Sequence, residues 1–162
     1  MKKPKVAIVM GSDSDLPTMK RAVDILKEFK ISYEVKILSA HRTPKETKEF
    51  AQSAIDKGFG AIIAGAGGAA HLAGVIASFT TLPVIGVPIE TKSLKGLDSL
   101  LSVVQMPSGI PVACVAIGSA KNAALLAAQI LALGDKRLKS TLSNYKKKMV
   151  KKALAKNKKV TL

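Results

Sequence analysis

KGFGAIIAGAGGAAHLAGVIASFTTLPVIGVPIE, Lys57 through Glu90, is the stretch whose reading decides the fold. Between its two charged ends lie 32 residues with no formal charge, long enough to raise a transmembrane helix. The content argues against one. Seven glycines fall in the window, Gly65-Ala-Gly-Gly68 sits near its middle, and Pro83 and Pro88 interrupt the second half. The stretch reads instead as a buried strand (Ala61–Ala64), a glycine loop, a buried helix (Ala69–Phe79) and a second buried strand (Val84–Val87). Runs that are continuously apolar rather than alternating belong to the centre of a parallel sheet covered on both faces.

Working outward, the same alternation continues. Lys5–Met10 is a strand that stops at Gly11, and Leu16–Phe29 has apolar residues at helical spacing. Tyr33–Leu38 is a strand. Thr43-Pro-Lys-Glu46 is a helix start, with a capping hydroxyl, proline in the first turn and glutamate at the third position; this helix is expected to run to about Lys57. Leu94–Val104 is helical, Val112–Ile117 is a third continuously apolar strand, and Ala120–Leu133 is an Ala/Leu-rich helix. Five strands alternating with helices predict an α/β fold: a three-layer α/β/α sandwich around a five-stranded parallel sheet, flavodoxin- or Rossmann-like.

At 162 residues, with 48% hydrophobic and only 4% aromatic residues, one aliphatic core is expected. The net charge of +15 suggests a phosphate-bearing partner, nucleic acid or an anionic membrane. Its distribution weakens that. Eleven of the 26 basic residues and none of the 11 acids lie in 136–162, which leaves +4 on residues 1–135. The division is therefore a catalytic-sized domain, 1–135, and a basic amphipathic helix with a frayed end from Lys156, 136–162. Leu138, Leu142, Tyr145 and Met149 form an apolar stripe on that helix, suited to docking on the body or on a neighbouring subunit. Few aromatics and no reader motif make nucleic acid an unlikely partner, and no membrane association is expected. The apolar run Val6–Met10 is too short for a signal-peptide core, and the lone Cys114 fits a reducing compartment, so a cytoplasmic protein is expected.

In such sheets ligands bind beyond the carboxyl ends of the strands. After the first strand comes Gly11-Ser-Asp-Ser-Asp15, opening a helix whose free N–H groups favour an anion; taken by itself this motif is better read as a plain cap supplied by Ser14 or Asp15. After the second comes Ser39-Ala-His-Arg-Thr-Pro44, where Arg42 can hold a phosphate or carboxylate and His41 can carry a proton near neutral pH. After the third comes Gly65-Ala-Gly-Gly-Ala-Ala-His-Leu72, whose small residues admit a ligand close to the backbone. His71 reads as a second site residue or as a packed histidine at a helix start. The glycine loop is neither a dinucleotide fingerprint nor a Walker A loop. Two histidines and one cysteine are too few for a His/Cys zinc site unless carboxylates supply most of the ligands, and no metal is expected. Cys114, inside an apolar strand, reads as a core residue rather than a nucleophile.

These three motifs, in this order, resemble the class I, mutase branch of the AIR carboxylase family of purine biosynthesis, which acts on N5-carboxyaminoimidazole ribonucleotide (N5-CAIR). Pro83-Val-Ile-Gly-Val-Pro88, Gly96-Leu-Asp-Ser-Leu-Leu-Ser102, Val104-Gln-Met-Pro107 and Asn122-Ala-Ala-Leu-Leu-Ala-Ala-Gln-Ile-Leu131 extend the likeness over residues 5–133. The resemblance implies a cofactor-free transfer of a carboxylate from the exocyclic nitrogen of the aminoimidazole to a ring carbon, giving CAIR. It implies His41 as proton carrier. Arg42, Ser14 and Ser39 would hold the ribose phosphate, and Asp15 the ribose hydroxyls. Ser12, Ala66 and Gly67 would surround the ring and carboxylate, with His71 and Leu72 lining the pocket. It also implies a homo-octamer with sites shared between subunits, and N5-CAIR synthetase as a transient partner. The Arg after His41 and the Gly-Gly-Ala-Ala-His-Leu loop match the mutase branch rather than relatives that use AIR and free CO2. Ala73 and Val75 depart from the family's usual Pro and Met. Two readings from other classes stand beside this one: a nucleic-acid-binding module acting through the tail, and a flavodoxin-like cofactor binder.

Overall fold

The structure, a computed structural model, describes residues 3–157. Five parallel strands, β1 (Lys5–Met10), β2 (Tyr33–Ile37), β3 (Phe59–Gly67), β4 (Val84–Ile89) and β5 (Ala113–Cys114), form one sheet in the order β2-β1-β3-β4-β5. This is the flavodoxin-like order, and its switch point lies between β1 and β3. Six helices cover it: α1 (Leu16–Glu28), α2 (Pro44–Ser53), α3 (Leu72–Ala77), α4 (Leu97–Val104), α5 (Ala120–Ala132) and α6 (Lys136–Asn157). A 3-10 turn, Asp13–Asp15, leads into α1.

The strand period of two sorts the core into two layers. On one face Val6, Ile8, Met10, Ile63, Ile85 and Val87 pack against α1 and α5. On the other, Ala7, Val9, Ile62, Ala64 and Val84 pack against α2 and α3. Alanines along α5 (Ala120, Ala123, Ala124, Ala127, Ala128) are fully buried and let that helix lie close to the sheet and to α1. The aliphatic core expected from composition is thus present, with Phe29, Phe50 and Phe59 as its aromatic members.

Several expected elements differ in extent. The strand expected over Val112–Ile117 pairs only at Ala113 and Cys114 and forms the sheet's edge. An edge strand has one covered neighbour, so Cys114 is half-buried rather than a core residue; burial still pushes its thiol pKa up, away from a reactive thiolate. Helix α2 ends at Ser53, short of Lys57, in turns that lead to Gly58 at φ +79°. The helix expected from Ala69 starts at Leu72, because β3 continues through Gly65-Ala66-Gly67 before the chain turns.

Helix α6 starts on Asp135, whose carboxylate accepts from the N–H groups of Leu138 and Arg137, at 3.1 and 2.8 Å, and is held below the usual carboxylate range by them. Leu138 is buried, Leu142 and Tyr145 pack on the α1/α5 layer, and the Tyr145 ring meets Phe29 edge-on at 5.4 Å. Met149, the next residue of the stripe, is exposed, as are Val150 and Leu154. The frayed end expected from Lys156 falls largely on residues 158–162, outside the described residues.

Close helix packing on β4 depends on Gly86. A Cβ there would collide with Val103 Cγ1, with Val112 and Ala73 crowding it from other sides. Gly86→Ala is therefore expected to destabilise the fold by about 1–3 kcal/mol, read as a lower denaturation midpoint with unchanged m-value.

Candidate active site

Beyond the carboxyl ends of β1, β2 and β3 lies a pocket of about 430 Å3. Its walls include Ser12, Ser14 and Asp15 after β1, Ser39, His41 and Arg42 after β2, and Ala66, Gly67 and Leu72 from the β3–α3 segment. His71 reaches it through His41: its Nδ1 lies 2.9 Å from His41 Nε2, with the rings edge to face at 5.0 Å. Nine of the ten residues singled out in the sequence thus line this pocket, whereas His71, expected on the same wall, lines a neighbouring hollow and touches the site through His41. A larger hollow of about 910 Å3 opens at the amino ends of β4 and β5. It is lined mainly by apolar residues such as Ile55, Phe79, Pro83 and Pro111, with Gln52, Ser78, Thr80 and Thr81 as its polar members and no ionisable side chain.

Each wall is held by local bonds. Ser12 caps the 3-10 turn by accepting from the Ser14 N–H, and Asp15 makes no side-chain cap bond to α1. Neither Ser14 nor Asp15 is consumed as a cap. Asp15 is nonetheless almost fully buried, and burial pushes its pKa up. A hydrogen bond from Ser14 and the charge of Arg42 oppose that shift.

Thr43 stands at the start of α2, but its hydroxyl does not cap the helix. It turns back to accept from the Ser39 N–H at 2.8 Å and lies 3.1 Å from the Ser39 carbonyl. The Ser39 hydroxyl in turn accepts from the Arg42 N–H at 3.1 Å. The loop carrying His41 is therefore a closed turn rather than a free excursion. The Arg42 guanidinium donates to the Gly11 carbonyl at 2.5 Å, tying the β2 loop to the β1 loop across the switch point.

The glycine loop is held from a direction the motifs did not indicate. Gly68 sits at φ +66°, where a side chain is strained. Its N–H donates to the buried Ser99 Oγ at 2.9 Å, and Ser99 donates to the Ile89 carbonyl at 2.6 Å. Ser102 Oγ lies 3.2 Å from the Gly68 carbonyl. Helix α4 thereby anchors the loop to the end of β4. Ile89, Glu90 and Thr91 complete the pocket wall, and Thr91 donates to Asp98 at 2.8 Å. The signal for these was present: β4 is adjacent to β3, so its carboxyl end opens on the same crevice.

Ala73 takes the second position of α3, where a backbone N–H has no intrahelical partner in any case. An alanine there costs no helical hydrogen bond; its side chain is buried in the α2/α3 layer. Among the described residues, no group of three His, Cys, Asp or Glu side chains could hold a metal ion, and no helix is long and apolar enough to cross a membrane.

A doubly wound parallel sheet with a polar, small-residue pocket at its switch point defines a flavodoxin-like α/β protein whose candidate site lies there. The family model for AIR carboxylase matches residues 5–152, and the chain belongs to that family. It is 61% identical over 158 residues to the N5-carboxyaminoimidazole ribonucleotide mutase of Pyrococcus horikoshii, covering 98% of this chain and 89% of that one. It is 57% identical to the mutase of Thermotoga maritima, covering 94% and 90%. The crystal structure of Treponema denticola PurE matches with a TM-score of 0.87 at 33% identity, covering 98% of this chain and 99% of that one.

Two outcomes follow from the geometry. Ser99→Ala leaves the Gly68 N–H and the Ile89 carbonyl without their shared partner and is expected to cost about 1–3 kcal/mol of stability, measured by denaturant titration. For Asp15, the raised pKa means that its ionised form is penalised on folding. Its favourable contribution is present at low pH and is lost as pH rises through the folded pKa. Asp15→Asn is therefore expected to raise Tm at neutral pH, with the difference disappearing below about pH 4.

Proposed function

We propose that this chain is an N5-CAIR mutase of purine biosynthesis, converting N5-CAIR to CAIR by moving a carboxylate from the exocyclic nitrogen to a ring carbon. The observation that carries this is the convergence of three strand-end motifs on one pocket, in a chain so close to proteins named as mutases. The substrate's N-carboxylate is protonated and leaves as CO2. The bound amine recaptures the CO2 through carbon, and the ring proton is then removed. His41 gives the first proton and takes the last, so the cycle closes without net proton change.

Arg42, Ser14 and Ser39 bind the ribose phosphate. Arg42 already stands between two loops, and a phosphate would replace the Gly11 carbonyl as its acceptor. Asp15 accepts from ribose hydroxyls, a role served by a carboxylate that is not used as a cap. Ser12, Ala66 and Gly67 surround the ring and carboxylate, with Leu72 behind them. Walls this small hold CO2 beside the ring carbon, where proximity replaces concentration.

The catalytic unit is residues 1–135, and the basic extension 136–162 serves assembly. The protein acts in the cytoplasm as a homo-octamer with sites shared between subunits. Support for assembly comes from the half-exposed row Leu94, Leu97, Leu101 and Val104 on α4 and the turn before it, and from the uncovered Met149 and Leu154 on α6. N5-CAIR synthetase is a transient partner that hands over a labile product.

Purified protein is expected to convert N5-CAIR to CAIR without ATP, metal or added bicarbonate; formation of CAIR only from AIR plus bicarbonate would replace this reading with the carboxylase one. His41→Asn is expected to lower kcat by at least about 100-fold while ribotide binding, followed by calorimetry, persists.

A further inference from the structure

We propose that Ser99 is a positioning residue for the carboxylate transfer: its hydroxyl spaces the ends of β3 and β4 and holds the glycine wall in the shape that keeps CO2 at the ring carbon. The chemistry rests on the mutase reading above, but the clamp itself does not.

The β3–β4 ladder has Gly67 opposite Ile89 as its last register position. One rung further, the Gly68 N–H is the donor that a parallel ladder brings to the Ile89 carbonyl. The Ser99 hydroxyl stands at that rung, accepting from the Gly68 N–H at 2.9 Å and donating to the Ile89 carbonyl at 2.6 Å. Ser99 is fully buried, which leaves its hydroxyl no competing partner in solvent. One turn along α4, Ser102 donates to the Asp98 carbonyl at 2.7 Å and lies 3.2 Å from the Gly68 carbonyl. That second hold is the weaker one, because a hydroxyl has a single hydrogen to share. Gly67 and Ala69 line the pocket on either side of Gly68, whereas Ser99 is not on its wall. Across a trans peptide the C=O and N–H point in opposite directions. Turning the Gly68 N–H toward β4 therefore turns the Gly67 carbonyl toward the β1 side of β3, where the pocket lies. The wall is set from behind.

In the transfer the exocyclic N–C bond breaks before the carbon–carbon bond forms. Between these events the pocket holds AIR and free CO2, and two fates compete. Recapture forms the carbon–carbon bond, returns the ring proton to His41 and gives CAIR. Escape releases CO2 and leaves AIR with the donated proton on its nitrogen, and water restores the proton that His41 gave up. Both routes balance in atoms and charge, so geometry decides between them. A glycine wall that shifts or loosens lowers recapture, since that step depends on CO2 staying against the ring carbon. It leaves Arg42, Ser14, Ser39 and Asp15, on the loops after β1 and β2, free to bind the ribotide as before.

The test is N5-CAIR turnover with AIR and CAIR both measured at the initial rate, corrected for decarboxylation without enzyme. Ser99→Ala is expected to raise the AIR-to-CAIR ratio at least about fivefold, with KM changed by less than about twofold. Ser99→Thr keeps the hydroxyl and is expected to bring the ratio back toward wild type. Ser102→Ala removes only the weaker hold and is expected to raise the ratio less; it carries the test if Ser99→Ala does not fold. The ratio is a property of each turnover. A variant that is merely less stable makes less of both products at the wild-type ratio, and that result would overturn the role of Ser99. The clamp is read separately by hydrogen exchange and mass spectrometry on peptides spanning residues 65–71. Ser99→Ala is expected to speed exchange there while β1 exchanges as before. Unchanged exchange would overturn the clamp, whether or not the protein has mutase activity. Wild-type protein that makes no CAIR would instead remove the mutase reading and leave the exchange result standing.

Discussion

Parallel pairing of β1 with β3, Val6–Met10 against Ala61–Gly65, is the constraint from which the rest follows. The two strands stay paired to their carboxyl ends, but the segments that follow them part, β1 leading to α1 on one face of the sheet and β3 to α3 on the other. Nothing fills that parting unless the loops turn inward. Gly11, whose N–H donates to the Gly65 carbonyl at 3.2 Å, marks the last rung of the pairing. Beyond it the loops after β1 and β2 are tied by Arg42, and the β3–α3 segment is tied by Ser99. A crevice that topology creates is thus made into a pocket of fixed shape.

Small residues do two jobs in this arrangement. In the layers, Gly86 and the α5 alanines bring helices close to the sheet, which suits a core with few aromatics. At the site, Ala66 and Gly67 leave room for a ligand against the backbone. The opening stretch 57–90 holds both uses, and its lack of charge comes from burial on two faces rather than from a membrane. The net charge resolves in a similar way. Most of the excess sits on α6, where it accompanies an apolar stripe that partly docks on α1 and α5.

Much of the fold was legible because apolar runs and helical periods differ in kind. β1 and the starts of α1 and α5 fall where the pattern puts them. The failures have physical causes. Val112–Ile117 is apolar like a central strand, yet composition cannot tell a strand buried between neighbours from an edge strand left half-exposed. β3 continues through Gly65-Ala-Gly67 because neighbouring β1 and β4 supply ladder partners that a glycine-rich sequence does not advertise. The site residues were legible from their positions after β1, β2 and β3. Ser99, Ser102 and Thr91 were not singled out as parts of it, since they act through bonds to Gly68 and Asp98 that only the packing of α4 reveals. The Thr43 hydroxyl looked like a helix cap and instead closes the turn that carries His41. The nearness of His41 and His71, thirty residues apart, is likewise a product of folding.

The proposed mutase reaction requires the pocket to keep CO2 between the breaking of one bond and the forming of the next. The most direct measurement is turnover of N5-CAIR carrying 13C in its carboxylate, in buffer containing excess unlabelled bicarbonate. Retention of most of the 13C in CAIR is the predicted result. CAIR that carries the solution's isotope ratio would mean that CO2 escapes before recapture, and would contradict the pocket's proposed role.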